Sequence, residues 1–362
     1  MFEAFRGTTF PSILLSGAGS SSKLQSQIES LRAGPGPVVF FLDPFVANAN
    51  ILASIWVAGP FTFVVDVGQE PSTGYVDKLV SEIQNLCQRS VPSLMVAIGG
   101  GITMDLAKAV SVCLTNSQNS SKMQGWDKPT KSGIIKIAVP TISGTGAEAS
   151  RTAVLTNTQS GLKLGINSDF TKFDCVILDA DLISTVPTNL FFFNAMDAYL
   201  HAVEVLEGHY RNSFSDFFAK SARQMVEDIF DSQDPRSVSN HEHLMMASYL
   251  AGLALTSSFV GLVHPLSAAI GVEYKIPHSL ANLLALRGLK THYLDTHDRI
   301  FGWADKLGVT VPSLGEVWNA EPDASKLYSE MVKHELPVRN ALGQDWQTDF
   351  TFEKFQLLLK EM

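Results

Sequence analysis

The sequence predicts an α/β plus α architecture: an N-terminal dinucleotide-binding parallel-sheet domain over residues 1-184, followed by an all-α domain over residues 185-362. Three observations carry this. Short, unbroken apolar runs alternate with helical patterns in the first half, two of those runs end in glycine-rich turns, and strand signals nearly vanish after about Thr185. With 362 residues, 45% hydrophobic and 17% charged, the chain has material for cores in two domains and is not a disordered sequence.

The apolar runs at 38–42, 61–65, 94–98, 134–139 and 176–178 lack the polar alternation of a strand with one wet face. They therefore read as strands covered on both sides. Helical spacing over 22–31 and 73–87 lies between them, and Gly34-Pro35-Gly36-Pro37 closes the first helix. In the second half, helical patterns run over 190–207, 214–230, 243–259, 279–293 and 323–334, with a polar loop over 231–240. Residues 115–133 read as a polar excursion carrying Trp126.

Charge and cysteine usage exclude several functions. The formal net charge is 27 − 36 = −9, which argues against gripping nucleic acid or an anionic membrane through phosphates. Cys87, Cys113 and Cys175 form no disulfide framework and suit a reducing, cytoplasmic setting. The N-terminus, with Glu3 and only a short apolar run at 13–15, does not read as a signal peptide. Residues 245–272 carry no charge, but they hold serines, Thr256, His264, Pro265 and three glycines. Two helices with a break fit this better than a membrane span.

The run at 94–98 leads into Gly99-Gly100-Gly101-Ile102-Thr103-Met104-Asp105 and then a helical pattern. Glycines at a strand's end let backbone N–H groups approach an anion, and a helix N-terminus adds favourable partial charge. This reads as a pyrophosphate cradle, although Met104 stands where a GxGxxG pattern has glycine. A plain strand-to-helix turn would use the same residues. The run at 134–139 leads into a second turn, Pro140 to Ser150, rich in hydroxyls and glycines. A capped helix start is the plainer reading there, with Glu148 in the first turn. Asp43 ends the first run and could bond a ribose while repelling a 2′-phosphate, which would favour NAD over NADP; a turn residue before Pro44 is the alternative.

Asp197 and His201 are four positions apart in a helical pattern, so both face one side. An ordinary hydrogen-bonded pair has the same spacing. His264 and His278 each adjoin a proline in mostly apolar surroundings. Together, one carboxylate and three imidazoles in a helical domain suit Fe2+ or Zn2+. The remaining histidines, His209, His241, His243, His292, His297 and His334, lie among charged or polar residues and read as surface, with His209 the one that could line a pocket.

The segments GGGITMDLAKAVS, PTISGTGAEASRTAV, MDAYLHAVE and HPLSAAIGVEYKIPHSLAN, in this order, resemble the iron-containing (group III) alcohol dehydrogenase family from about residue 8 to 358. The resemblance implies a dinucleotide-binding domain and a helical metal-binding domain of the dehydroquinate synthase-like fold. It places the metal ligands on Asp197, His201, His264 and His278. It places pyrophosphate contacts on Gly100, Gly101 and the start of the next helix, at Thr103 and Asp105. Nicotinamide-side contacts fall near Thr141, Ser143, Ser150 and Lys163. It implies NAD(P), a divalent metal, a small-molecule alcohol substrate and a homodimer. Within the family, MQGWD, LGINSDFTKFD and VEVLEGHYRNSFS are most similar to the 3-deoxy-D-manno-octulosonate 8-oxidase branch, which implies oxidation of a sugar-acid hydroxyl in lipopolysaccharide biosynthesis. Two departures from many members, Ala268 in place of a histidine and Ser279 in place of glycine, alter the pocket wall and point away from a simple short-chain alcohol.

A lyase or cyclase like dehydroquinate synthase would join NAD to a metal on the same architecture. It would handle a phosphorylated substrate with Arg and Lys near the metal ligands. Here only Arg211, Lys275 and Arg287 are near in sequence.

Overall fold

The computed structural model describes residues 9–48, 61–88, 90–318, 322–360 and 362; Glu3 lies outside them. Nine strands are present among these residues: β1 (Ile13–Ser16), β2 (Val38–Leu42), β3 (Thr62–Val64), β4 (Leu94–Gly99), β5 (Gly125–Trp126), β6 (Lys136–Pro140), β7 (Thr152–Thr156), β8 (Lys163–Asn167) and β9 (Cys175–Leu178). Six of them form an all-parallel sheet in the order β1-β9-β6-β4-β2-β3. The five predicted runs all become strands of this sheet. They are apolar throughout because both faces are covered: Leu42, Val96, Ile98, Ile137, Val139 and Ile177 share one buried cluster.

The strand order matters for the site. β2, β4 and β6 are adjacent and parallel, so Asp43, the first glycine turn and the second turn all emerge at one end of the sheet. Gly99 pairs with Pro140, and the Thr141 N–H donates to the Gly99 carbonyl at 3.0 Å. On the other flank the Asp43 N–H donates to the Ile98 carbonyl at 3.1 Å.

Two elements depart from the expectation. Residues 13–15 belong to β1, an edge strand whose four residues alternate between half-buried and exposed. So short an alternation carries no readable period. The second turn does not start a helix. It enters β7, which pairs with β8 as an antiparallel hairpin. Ala153 and Leu155 are the fully buried residues of β7, with threonines at both ends, so the strand lacks the apolar run that marked the others.

The chain divides into two compact units, one of residues 1–185 with 236–249 and one of residues 186–235 with 250–362. The second unit is helical. Its helix Thr188–Glu207 is buried almost all round, and that burial takes Asp197, His201 and Glu204 out of water along with their apolar neighbours. Ala198 and Ala202 meet Ala219, Ala222, Ala251 and Ala254, small residues that let helix backbones approach closely. Asn212 caps the following helix, Ser213–Asp231, by accepting from the Phe214 and Ser215 N–H groups. The uncharged stretch at 245–272 is two helices, Val238–Thr256 and Val263–Tyr274, with a break between them. No helix among the described residues is long and apolar enough to cross a membrane.

Under the second turn lies a buried charged group. Lys108 donates to the Thr152 carbonyl at 2.7 Å and to Ser150 Oγ at 3.2 Å, and it sits 3.4 Å from Asp105 Oδ1. Burial pushes the nearby Glu148 carboxyl up to about 7, a rise that Lys108 only partly opposes. Its ordinary value is 4.5. A carboxyl that binds its proton more tightly when folded contributes stability fully below its unfolded value and loses it as the pH rises through the folded value. Relative to Glu148→Gln, the unaltered protein should therefore lose about 3 kcal/mol of stability between pH 4.5 and 7. Urea midpoints of the two proteins at both pH values check this.

Candidate metal centre and coenzyme cradle

Three glycines in a row at the first turn serve three different needs. A Cβ on Gly99 would lie 2.5 Å from Thr103 Oγ1 and 2.9 Å from Asp43 Cβ, so packing requires glycine. A Cβ on Gly101 would press on the Thr145 side chain at 3.0 Å. At Gly100 the nearest atom to such a Cβ is Ile142 Cδ1 at 3.6 Å, an ordinary contact, and the backbone there is extended with φ −86°. Neither packing nor conformation demands glycine at Gly100, and the missing side chain leaves an open face there that suits the approach of a phosphate. Gly100 also stands at the N-terminus of the helix Gly101–Asn116, which has no capping side chain, so its first N–H groups face that approach.

The surrounding residues fall into two groups. Thr103 and Thr141 are buried, and the Oγ1 of each has no hydrogen-bond partner. Buried hydroxyls left this way call for a partner from outside the chain, a water or a ligand atom, and a dinucleotide in the cradle would fit them. Ser143 is buried beside them in sequence. The others are engaged within the protein. Asp43 Oδ1 accepts from the Val46 N–H at 3.0 Å. Asp105 accepts from the Val154 N–H at 3.1 Å through Oδ2 and faces Lys108 through Oδ1. Ser150 accepts from Lys108. Lys163 pairs with Glu70 at 3.0 Å, and its charge acts on Asp105, so Asp105, Lys108, Ser150 and Lys163 form one neighbourhood.

In the helical unit, the four residues singled out in the sequence come together. Asp197 Oδ1 lies 3.2 Å from His264 Nε2 and 3.7 Å from the Nε2 atoms of both His201 and His278. Ligand atoms around a tetrahedral ion with bonds of 2.0–2.1 Å are spaced by about 3.4 Å, and the three distances to Asp197 Oδ1 are close to that spacing. The His201 and His264 rings stack with centroids 4.3 Å apart. One donor atom each from Asp197, His201 and His264 lies within 4.8 Å of the others. The other carboxylate oxygen, Asp197 Oδ2, is buried and accepts no hydrogen bond. A fully buried carboxylate without water is unstable unless cations surround it. Burial works to raise the Asp197 carboxyl, but the imidazoles of His201, His278 and His264 overcome it and hold the group well below the usual carboxylate range. Burial likewise works to lower His264, and the carboxylates of Glu204 and Asp197 hold it up at about 9. The donor set is built to carry positive charge, and the residues fit a divalent metal.

Two further residues were not singled out by sequence. Glu204 Oε2 bonds His264 Nδ1, while its Oε1 accepts from the Val263 N–H at 2.7 Å. Asn282 is fully buried and donates through Nδ2 to Asp197 Oδ1 at 2.7 Å. Both carried a spacing signal: Glu204 lies three positions after His201, and Asn282 lies four after His278. Of the basic residues near the ligands in sequence, Arg211 is held by Asp216 and the Leu206 carbonyl. Arg287 donates to the Val311 carbonyl and lies over the Phe301 ring. Both arginines are thus engaged within the protein, and Lys275, just after the helix Val263–Tyr274, is exposed.

A parallel α/β unit with an open glycine cradle and a helical unit with a buried Asp/His cluster define a class of dinucleotide- and metal-binding protein. The family model of the iron-containing alcohol dehydrogenases matches residues 11–180, and that of the C-terminal part of the same family matches residues 192–332. The chain belongs to the iron-containing alcohol dehydrogenase family, oxidoreductases that act on alcohols or aldehydes with NAD(P) and iron or another divalent metal. It is 27% identical over 275 residues to the sulfoacetaldehyde reductase of Bilophila wadsworthia, spanning 74% of this chain and 70% of that protein. It is 29% identical over 306 residues to "Probable alcohol dehydrogenase EutG" of Escherichia coli, spanning 79% and 75%. Among solved structures, an alcohol dehydrogenase from Oenococcus oeni superposes with a TM-score of 0.82 at 21% identity, covering 97% of this chain and 99% of that one. The sulfoacetaldehyde reductase of Bifidobacterium kashiwanohense, solved in complex with NAD+, gives 0.79 at 21% identity, covering 99% of this chain and 100% of that one.

Outer-shell carboxylates orient the imidazoles they touch. Glu204→Gln should weaken zinc or Fe2+ binding by about 10- to 100-fold, and competition with a chromogenic chelator measures it.

Proposed function

We propose that the protein interconverts a primary alcohol and its aldehyde, with NAD as the hydride carrier and a divalent metal held by Asp197, His201, His264 and His278. The observation that carries this is the buried Asp197 carboxylate, encircled by three imidazole nitrogens and left with one oxygen unpartnered. When bound, the metal supplies Lewis-acid polarisation of the substrate oxygen and the nicotinamide supplies the hydride acceptor. The protein's own part is to hold and orient. Glu204 fixes the His264 ring through Nδ1 so that Nε2 faces Asp197. Asn282 fixes the carboxylate through Oδ1. His278 has 27% of its side chain exposed against 9% or less for the other three, so a substrate hydroxyl reaches the centre on the His278 side.

Gly100, Gly101, Thr103 and Thr141 would take the coenzyme, with Ser143, Ser150, Lys163 and Asp105 around the nicotinamide end. Asp43 supports NAD over NADP, because a buried carboxylate at the end of β2 repels a 2′-phosphate. As the substrate class we propose a sugar acid such as 3-deoxy-D-manno-octulosonate, oxidised at its terminal hydroxyl. The motif resemblance supports this, as does Ala268, which lies one helical turn after His264 and leaves room where a larger side chain would stand. Three buried, unpaired cysteines support a reducing, cytoplasmic setting, and the family resemblance supports a homodimer.

The test is anaerobic turnover by metal-reconstituted protein, following reduced nicotinamide absorbance with NAD or NADP and a panel of the sugar acid, diols and short alcohols. The expected result is a metal-dependent signal with NAD that disappears in Asp197→Ala and His278→Ala. Gly100→Val should lose it too while still binding metal. A signal with short alcohols but none with the sugar acid would remove the substrate assignment alone. Peroxide formed only in air would replace the dehydrogenase by an oxidase.

A further inference from the structure

The two turns of the coenzyme cradle are not held in the same way. In the first, the N–H groups at the start of the helix Gly101–Asn116 have no capping side chain. In the second, the N–H groups of Gly144 and Gly146 both donate to a single oxygen, Ser248 Oγ, at 2.8 and 3.2 Å. Ser248 is 1% exposed and comes from the helix Val238–Thr256, about a hundred residues later, in a segment that belongs to the same compact unit as the turns. Both acceptor positions of its hydroxyl are thereby used. The second turn cannot offer these two N–H groups to a phosphate; it is a part whose position is set by Ser248.

That position bears on the first turn. Thr145 lies between the two anchored glycines, and its side chain is what a Cβ on Gly101 would meet at 3.0 Å. Ile142, two residues before Gly144, is what a Cβ on Gly100 would meet first, at 3.6 Å. Thr141, with its unpartnered buried hydroxyl, opens the same turn. Within the turn the Ala147 N–H donates to Thr145 Oγ1 and the Ala149 and Ser150 N–H groups donate to the Gly146 carbonyl; its first residue is tied to β4 by the Thr141 N–H on the Gly99 carbonyl, and its last by Lys108 Nζ, which donates to Ser150 Oγ, so the stretch from Gly144 to Gly146 is held from outside by Ser248.

We propose that Ser248 is a positioning residue for the nicotinamide coenzyme: by accepting from Gly144 and Gly146 it sets the second turn against Gly100 and Gly101, and so fixes the width of the cradle. This rests on the reading that the two turns hold NAD. Removing the acceptor leaves two buried N–H groups unpaired, and the turn must move to satisfy them. The coenzyme registers that movement, and the Asp/His cluster, which belongs to the other compact unit, serves as the control.

The experiment is fluorescence titration of the metal-loaded protein with NADH, alongside metal content and thermal melting, for Ser248→Ala, Ser248→Cys and Ser248→Thr. Cysteine keeps nearly the same shape with a poor acceptor, and threonine keeps the hydroxyl oxygen. The alanine and cysteine variants should bind NADH about tenfold more weakly, with threonine near the unaltered protein and metal content unchanged in all three. If alanine fails to fold, the cysteine and threonine pair decides. Binding by alanine and cysteine within about twofold of the unaltered protein overturns the proposal, even with a lowered melting temperature, since that marks a merely structural role. Parallel loss of NADH and metal binding also overturns it, as general loosening. If the unaltered protein binds no NADH, the coenzyme reading itself falls, and the proposal with it.

Discussion

The helical unit is organised around a carboxylate that the fold has made unstable by itself. Asp197 is fully buried, and one of its oxygens accepts no hydrogen bond. In so apolar a surrounding an ionised carboxylate persists only with positive charge close by. Three imidazole nitrogens within 3.7 Å of the other oxygen supply part of that, and a divalent cation supplies it better. The neighbouring architecture follows from this requirement. The helix Thr188–Glu207 must be buried on nearly every side to keep water from Asp197. Val263–Tyr274 begins one residue before His264, and His278–Gly288 begins at His278 itself, so these two histidines each sit at a helix start, while Asp197 and His201 lie inside the helix Thr188–Glu207. Glu204 and Asn282 then lock His264 and Asp197 in place.

The coenzyme side rests on a constraint of another kind, the adjacency of β2, β4 and β6 in a parallel sheet. Parallel strands deliver their C-terminal ends to one edge, so Asp43 and the two turns need no special device to meet. Fine positioning is a separate matter. Gly99 and Gly101 admit close packing within the protein, Gly100 leaves a face open, and the second turn is fastened from a distant helix.

Much of this was legible in the sequence because its causes are local. Unbroken apolar runs such as 38–42 and 94–98 are what two-sided burial demands, and the i,i+4 spacing of Asp197 and His201 follows from helix geometry. The misses have local causes as well. β1 and the β7–β8 hairpin are short and half-polar, so neither shows a period that separates it from a loop. The second turn has the composition of a helix cap, yet its start is fixed by pairing with β4 and its middle by Ser248, and neither contact is visible along the chain. That His264 and His278 meet Asp197 at all depends on how three helices pack, and no spacing encodes that. Glu204 and Asn282 did have a readable spacing, but residues that support ligands leave no mark distinguishing them from other buried polar groups.

The most direct test of the central claim is X-ray absorption spectroscopy on the protein reconstituted with one equivalent of Fe2+ or Zn2+, next to Asp197→Ala treated identically. The account predicts a first shell of nitrogen and oxygen at about 2.0–2.2 Å with the outer-shell scattering of three imidazoles, and loss of stoichiometric binding in the variant. A shell without imidazole scattering, or full occupancy retained in Asp197→Ala, would contradict it.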